Sequence, residues 1–146
     1  MKNMRGVAMV EFAIVSAVLM TVIFGCLEFG RATYTFAALN EGTRRAARLA
    51  AVCPVGDPKI TAAVNFLGAQ GFNDSNVSVT YLDANGNSLG AAPPIANVYY
   101  VQVSVVGYNV PLAIPFVGGT LTAPSFAVTL PAESLGWSGH GVSTAC

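Results

Sequence analysis

Hydrophobic and polar positions divide this chain into three regimes. From Val7 to Leu27 almost every position is apolar, and Glu11 is the only charge. A run of that length predicts a helix able to cross a bilayer. From Phe29 onward, Phe29, Ala32, Phe36, Leu39, Thr43, Ala46, Ala50 and Cys53 recur every three or four residues and form one helical stripe. No proline falls between Val7 and Val52. Both regimes are therefore expected to make one continuous helix of about 69 Å. A chain of 146 residues cannot bury such a rod. Its first ~31 Å matches a hydrocarbon core, and the rest is expected to grip a small domain outside it.

The third regime is built of shorter elements. Pro54 stops the helix, and Asp57-Pro58 restarts one with an N-cap and a first-turn proline, running to about Leu67 and ending near Gly68 or Gly71. Val77, Val79 and Tyr81 alternate with Ser78, Thr80 and Leu82 as a strand, and Asn85-Gly86 predicts a hairpin turn. After the Ala91 to Pro94 loop comes the strongest strand, Val98 to Tyr108. It sets Val101, Val103 and Val105 on one face against Tyr100, Gln102 and Ser104 on the other. Pro111 and Pro115 frame an apolar loop, and Phe126 to Leu130 forms a last strand that Pro131 ends. The expected fold is α+β: a long N-terminal helix, membrane-spanning and then amphipathic, packed on a small antiparallel sheet of three or four strands. Such a sheet needs the helix to cover a face. The expected divisions are a leader at 1–6, a membrane half at 7–27, an amphipathic half at 28–53 and a head at 54–146.

Charge sharpens this division. All seven basic residues lie within residues 1–60, while 61–146 carries only Asp74, Asp83 and Glu133. A domain so poor in charge is expected to live covered, in an assembly or against a membrane. It offers no clustered cations for nucleic acid. On the helix, Glu41 precedes Arg44 and Arg45 by three and four residues and Arg48 follows, which suits a solvated face with weak ion pairs. Ala46, Ala47, Ala50 and Ala51 would let another element approach closely.

Cys26 falls inside the apolar run, where a thiol acts as a small hydrophobe. Cys53 and Cys146 bracket the head, as expected of a disulfide made in an oxidising compartment. Lys2 and Arg5 favour a cytoplasmic N-terminus, although Arg31, Arg44 and Arg45 lie near the other end of the span. The cysteine pair tips the balance towards a head outside the cytoplasm.

Little here could carry catalysis. The single histidine, His140, lies in a Gly-rich tail with Trp137 that cannot hold a base in place, and one His with separated cysteines does not make a zinc site. No phosphate-binding glycine loop is present, and neither a cofactor nor a small-molecule substrate is expected. Glu11 stands out instead, because a carboxylate inside an apolar helix costs up to ~3 kcal/mol at mid-bilayer and commonly marks function. One alternative is that it snorkels to the headgroups. The other is that a cut after Gly6 gives Val7 a new amine, which the Glu11 carboxylate neutralises within one subunit or between staggered helices.

The basic leader with Gly6, Val7-Ala8-Met9-Val10 and Glu11 resembles a prepilin processing motif. Glu11-Phe12-Ala13-Ile14-Val15, Gly25, Glu28-Phe29-Gly30-Arg31 and Arg44 to Arg48 before Leu49-Ala50-Ala51 are similar to the TadE-like pseudopilins of tight-adherence (Flp) pili. The chain departs from that pattern at Ala17, where proline is frequent, and at Arg45, where an acidic residue is common. The resemblance covers about residues 5–52. It implies a minor pilin-like subunit cut between Gly6 and Val7 by a prepilin peptidase, with Glu11 serving assembly. Its partners would be other pilin or pseudopilin subunits and the bacterial inner membrane, crossed once with the N-terminus cytoplasmic and the head periplasmic. The alternative is a membrane-anchored binding module: an adhesin using the Trp137 and His140 tail, or a lipoprotein modified at Cys26.

Overall fold

The computed structural model describes residues 5–66, 68–113, 118–138, 142–143 and 146. Helix α1 runs unbroken over Arg5–Val52. It carries no proline, and the apolar side chains of residues 6–27 are exposed. This half is long and apolar enough to cross a membrane.

From Glu28 onward one face of α1 is covered. Ala32, Leu39, Thr43, Ala46, Ala47, Ala50 and Cys53 are buried, and the Thr43 hydroxyl donates to the Leu39 carbonyl at 2.7 Å, so the stripe hides no unpaired polar group. Phe29, expected on this stripe, is 72% exposed, and Glu28 takes its place at the covered edge. The helix keeps its period, but the buried line passes through the carboxylate.

Helix α2 spans Pro58–Val64, with the Asp57 side chain accepting the Lys59 N–H at 2.8 Å as its N-cap. It ends at Asn65, earlier than the expected Leu67, which lies outside the described residues. Ile60 and Val64 are buried, and α2 lies against α1 where Gly42 lacks a side chain.

The strands are β1 (Val77–Leu82), β2 (Tyr100–Val105), β3 (Asn109–Pro111), β4 (Thr120–Thr122), β5 (Ala127–Pro131), β6 (Trp137–Ser138) and β7 (Val142–Ser143). The main sheet has the order β1-β2-β5, antiparallel throughout, with Val79 opposite Val103 and Val103 opposite Val128. Strand β2 sits at the centre. Val101, Val103 and Val105 are buried, as their alternation requires, and α1 packs against β2 and β5. The rings of Phe36 on α1 and Phe126 beside β5 lie 6.4 Å apart. Tyr108, expected within the long strand, lies just beyond β2 and is buried edge-on to Phe72, where its hydroxyl donates to the Gln70 carbonyl at 2.9 Å.

Two expectations change in detail. The Asn85-Gly86 turn is present, with Gly86 at φ +83° and the Asp83 carboxylate accepting the Asn85 and Asn87 N–H groups at 2.8 Å. The returning chain, however, pairs with β1 only through a bridge from Ser88 to Leu82. Pro93 and Pro94 follow soon after, and a proline donates no ladder hydrogen bond, so β2 becomes the lasting partner of β1. The loop that starts at Pro111 is flanked by a second small sheet not expected from the sequence, β3 paired with β4, with Val110 opposite Leu121; Pro115 lies outside the described residues.

The C-terminal segment closes the far end. The last carbonyls of a helix have no partner within it. Here the Glu133 N–H donates to the Ala51 carbonyl at 2.9 Å, and the Gly136 N–H and the Ser134 hydroxyl both reach the Val52 carbonyl, at 2.6 Å and 3.1 Å. Gly136 has φ +78° with Pro54 against its open side, a place no side chain could share. Cys53 is joined to Cys146, with their Cα atoms 5.6 Å apart. Residues 133–136 are thus tied to the helix end, and Trp137–Ser138 follow as β6, paired with β7. His140 lies outside the described residues.

Candidate functional site

Two regions of α1 carry the chemistry that the head does not absorb. The first is its beginning. Gly6 and Val7 lie in the first turns, with Val7 70% exposed and open space around Gly6. Glu11 stands one turn on from Val7, in a shallow groove of about 620 Å³ lined by Gly6, Val7, Val10 and Ile14. Among the described residues nothing hydrogen-bonds to or pairs with the Glu11 carboxylate. A lone anion on an apolar surface is costly in lipid, so this position favours an environment that brings a cation or a donor to it. The candidates from the sequence, Gly6, Val7 and Glu11, therefore share one end of one helix. Lys2, in the expected leader, lies outside the described residues.

The second region is where the head first meets the helix. Glu28 is almost fully buried and accepts from the Arg31 guanidinium one turn on, including Nε at 3.3 Å. The same carboxylate accepts the Ala113 N–H at 3.1 Å, while Arg31 also donates to the Pro111 carbonyl. These two side chains clasp the end of β3 to α1. The hydrogen bond from Arg31 holds the Glu28 carboxyl below the usual carboxylate range, partial burial opposes this, and the Ala113 N–H adds to the lowering. Glu28 in turn raises the Arg31 guanidinium. The sequence shows Glu28 and Arg31 one turn apart, but nothing local points to the hairpin that completes the clasp.

The remaining helix charges behave as a solvated face. Arg45 pairs with Glu41 at 3.0 Å, both well exposed, and its guanidinium lies 4.3 Å from the Phe66 ring centre. Cys26 is free and exposed on the apolar half. On the head, Ile95, Ala96 and Trp137 line a cleft of about 300 Å³, and Trp137 is 58% exposed.

An unbroken helix with an apolar first half, a glutamate near its start and a second half gripped by a small α+β head form one pattern. Residues 6–48 match the family described as TadE-like protein. The TadE-like match begins at Gly6, takes in Glu11, Glu28 and Arg31, and ends at Arg48, so it covers the helix and less than a third of the chain. It falls on the residues that carry the resemblance in the sequence. The two departures from the TadE-like pattern have visible outcomes: α1 passes Ala17 without a break, and Arg45 pairs with Glu41. No curated protein and no solved structure matches the chain.

Proposed function

We propose that this protein is a minor pilin-like subunit that helps assemble or prime a type IV pilus of the tight-adherence class. Residues 7–27 span the bacterial inner membrane once, with the N-terminus cytoplasmic and the disulfide-closed head periplasmic. A prepilin peptidase removes residues 1–6 by cutting between Gly6 and Val7. Glu11 then neutralises the Val7 amine of its own or a neighbouring subunit as the apolar helices gather, and the assembled subunit can pass into an extracellular pilus.

One observation carries this reading: residues 6–27 of α1, within the TadE-like match, leave their apolar side chains exposed and carry one carboxylate, Glu11, that pairs with nothing among the described residues. A helix evolved only as an anchor gains nothing from Glu11, whereas a helix that must register against its neighbours gains a charge to be neutralised at one position.

The experiment is to measure the mass of the mature protein and of two variants. The native chain should begin at Val7, and Gly6→Leu should retain residues 1–6, because a bulky residue obstructs the close backbone approach a peptidase needs. Glu11→Ala should insert and fold but fail to enter the complex. A mature chain beginning at Met1, or normal assembly of Glu11→Ala, sinks the proposal.

A second reading, a membrane-anchored binding module, draws on the cleft beside the exposed Trp137. It requires that Trp137→Ala abolish adhesion while the pilus still forms.

A further inference from the structure

Strands β3 and β4 are held at one particular height on α1. The Pro111 carbonyl and the Ala113 N–H are bound by Arg31 and Glu28, directly after the apolar half ends at Leu27. A bilayer adds headgroup layers of some 5–7 Å on each side of its hydrocarbon core. At 1.5 Å per residue, the layer on the head side takes in roughly the first four residues after Leu27. Glu28 and Arg31 fall within it, and the hairpin is fastened to both.

The chemistry of the hairpin suits that depth. No charged side chain occurs between Asp83 and Glu133, a stretch that includes both strands. All three residues of β4 are exposed, Leu121 at 43%, and among the described residues no further strand pairs with β4, so its edge is left without the charges that usually guard one in water. Thr120 and Thr122 supply hydroxyls for headgroups, and Leu112, Ala113 and Leu121 supply apolar surface. On α1 at the same height, Phe29 is largely exposed, as aromatic residues at a membrane interface are. The two ions at this level, Glu28 and Arg31, neutralise each other.

We infer that strands β3 and β4, with Leu112 and Ala113, rest on the lipid surface and give the head a second foot beside the helix. The inference depends on residues 7–27 being the membrane span. A helix alone leaves its head free to rotate about the helix axis and to tilt. A second foot, fixed to the helix by the Glu28 and Arg31 clasp, limits both motions. The far end of α1, about 36 Å beyond Glu28, is then held in one orientation towards incoming subunits.

The test uses the full chain in vesicles of phosphatidylethanolamine and phosphatidylglycerol, unbrominated, with bromine near the top of the acyl chains, or with bromine near their middle. Trp137→Phe removes the single tryptophan, and new ones are introduced separately as Leu121→Trp, Thr120→Trp, Val18→Trp and Asn85→Trp. Bromolipid should quench Val18→Trp and at least one of the two hairpin probes, with a blue shift in the latter, and should leave Asn85→Trp at the far turn unchanged. If Val18→Trp is not quenched, the membrane reading itself fails. If Val18→Trp is quenched and both hairpin probes are not, the second foot alone is overturned, and a blue shift without quenching shows that protein covers the hairpin instead.

Discussion

A side chain at Gly42 would collide with the backbone of Val64. A Cβ there would lie 2.9 Å from the Val64 carbonyl carbon and 3.0 Å from its Cα, so α2 crosses α1 at a distance only glycine allows. Backbone atoms, unlike the end of a flexible side chain, cannot turn aside. Gly42→Ala improves helix propensity by ~1 kcal/mol but forces overpacking that typically costs about 1–3 kcal/mol. Chemical unfolding in detergent should show net destabilisation. Gly30→Ala is the control: nothing lies near Gly30, so the same change should leave the head's stability equal or higher.

The clasp at Glu28 makes a prediction about pH. Its carboxyl is lowered in the folded protein by Arg31 and the Ala113 N–H. A group with a depressed folded pKa adds stability above its unfolded value of about 4.3, and that contribution disappears as pH falls through the lower folded value. Amide exchange at Ala113 should therefore stay slow through mild acid and quicken only below the ordinary carboxylate range. In Glu28→Ala it should be fast at every pH, while amides in β2 keep their protection. Equal protection of Ala113 in the variant would show that the carboxylate does not hold the hairpin.

Much of this architecture is legible in the sequence, because it rests on periodicities that survive folding. The three-to-four spacing from Ala32 to Cys53 and the alternation of Val101, Val103 and Val105 each name a face that the structure buries. The clasp is not legible in this way. Glu28 lies on the covered line of α1, but a search for apolar period passes over a carboxylate and selects Phe29, which turns out exposed. What makes the burial of Glu28 tolerable is an N–H from Ala113, 85 residues away. Strands β3 and β4 are hidden for a related reason: three residues each are too few to show alternation, and their pairing is set by tertiary contacts. Gly42 gives no local signal either, since its requirement comes from Val64. At the helix start, Gly6, Val7 and Glu11 are recognisable by resemblance, and no described residue pairs with Glu11.

The disulfide predicts a thiol count. Cys53 and Cys146 are joined across 93 residues, and Cys26 is free. Alkylation of the denatured, non-reduced protein should label Cys26 alone, and prior reduction should expose two further sites. By the chain-entropy model a loop of this length stabilises by up to ~4.7 kcal/mol, so Cys146→Ser should unfold at distinctly lower denaturant concentration. Labelling of all three cysteines without reductant would contradict the pairing.

The head is expected to fail without its helix. Leu39, Ala46, Ala47 and Ala50 of α1 are buried in the same cluster as Ile60, Val101, Val103 and Val110, so the helix is one wall of the core. Removing residues 1–53 uncovers one face of a three-stranded sheet and breaks the disulfide at Cys53. It also frees the N–H groups of Glu133 and Gly136 from the carbonyls of Ala51 and Val52. The surface left behind has almost no charge to keep it dispersed, because residues 61–146 carry three acids and no cation. A fragment of residues 54–146 should therefore aggregate on expression. Restoring residues 28–53, which supply the wall, the clasp and the cysteine without the apolar half, should return a monomer with a cooperative unfolding transition. If the shorter fragment is itself monodisperse and unfolds cooperatively, the sheet holds its own core and the packing of α1 against it is not what folds the head.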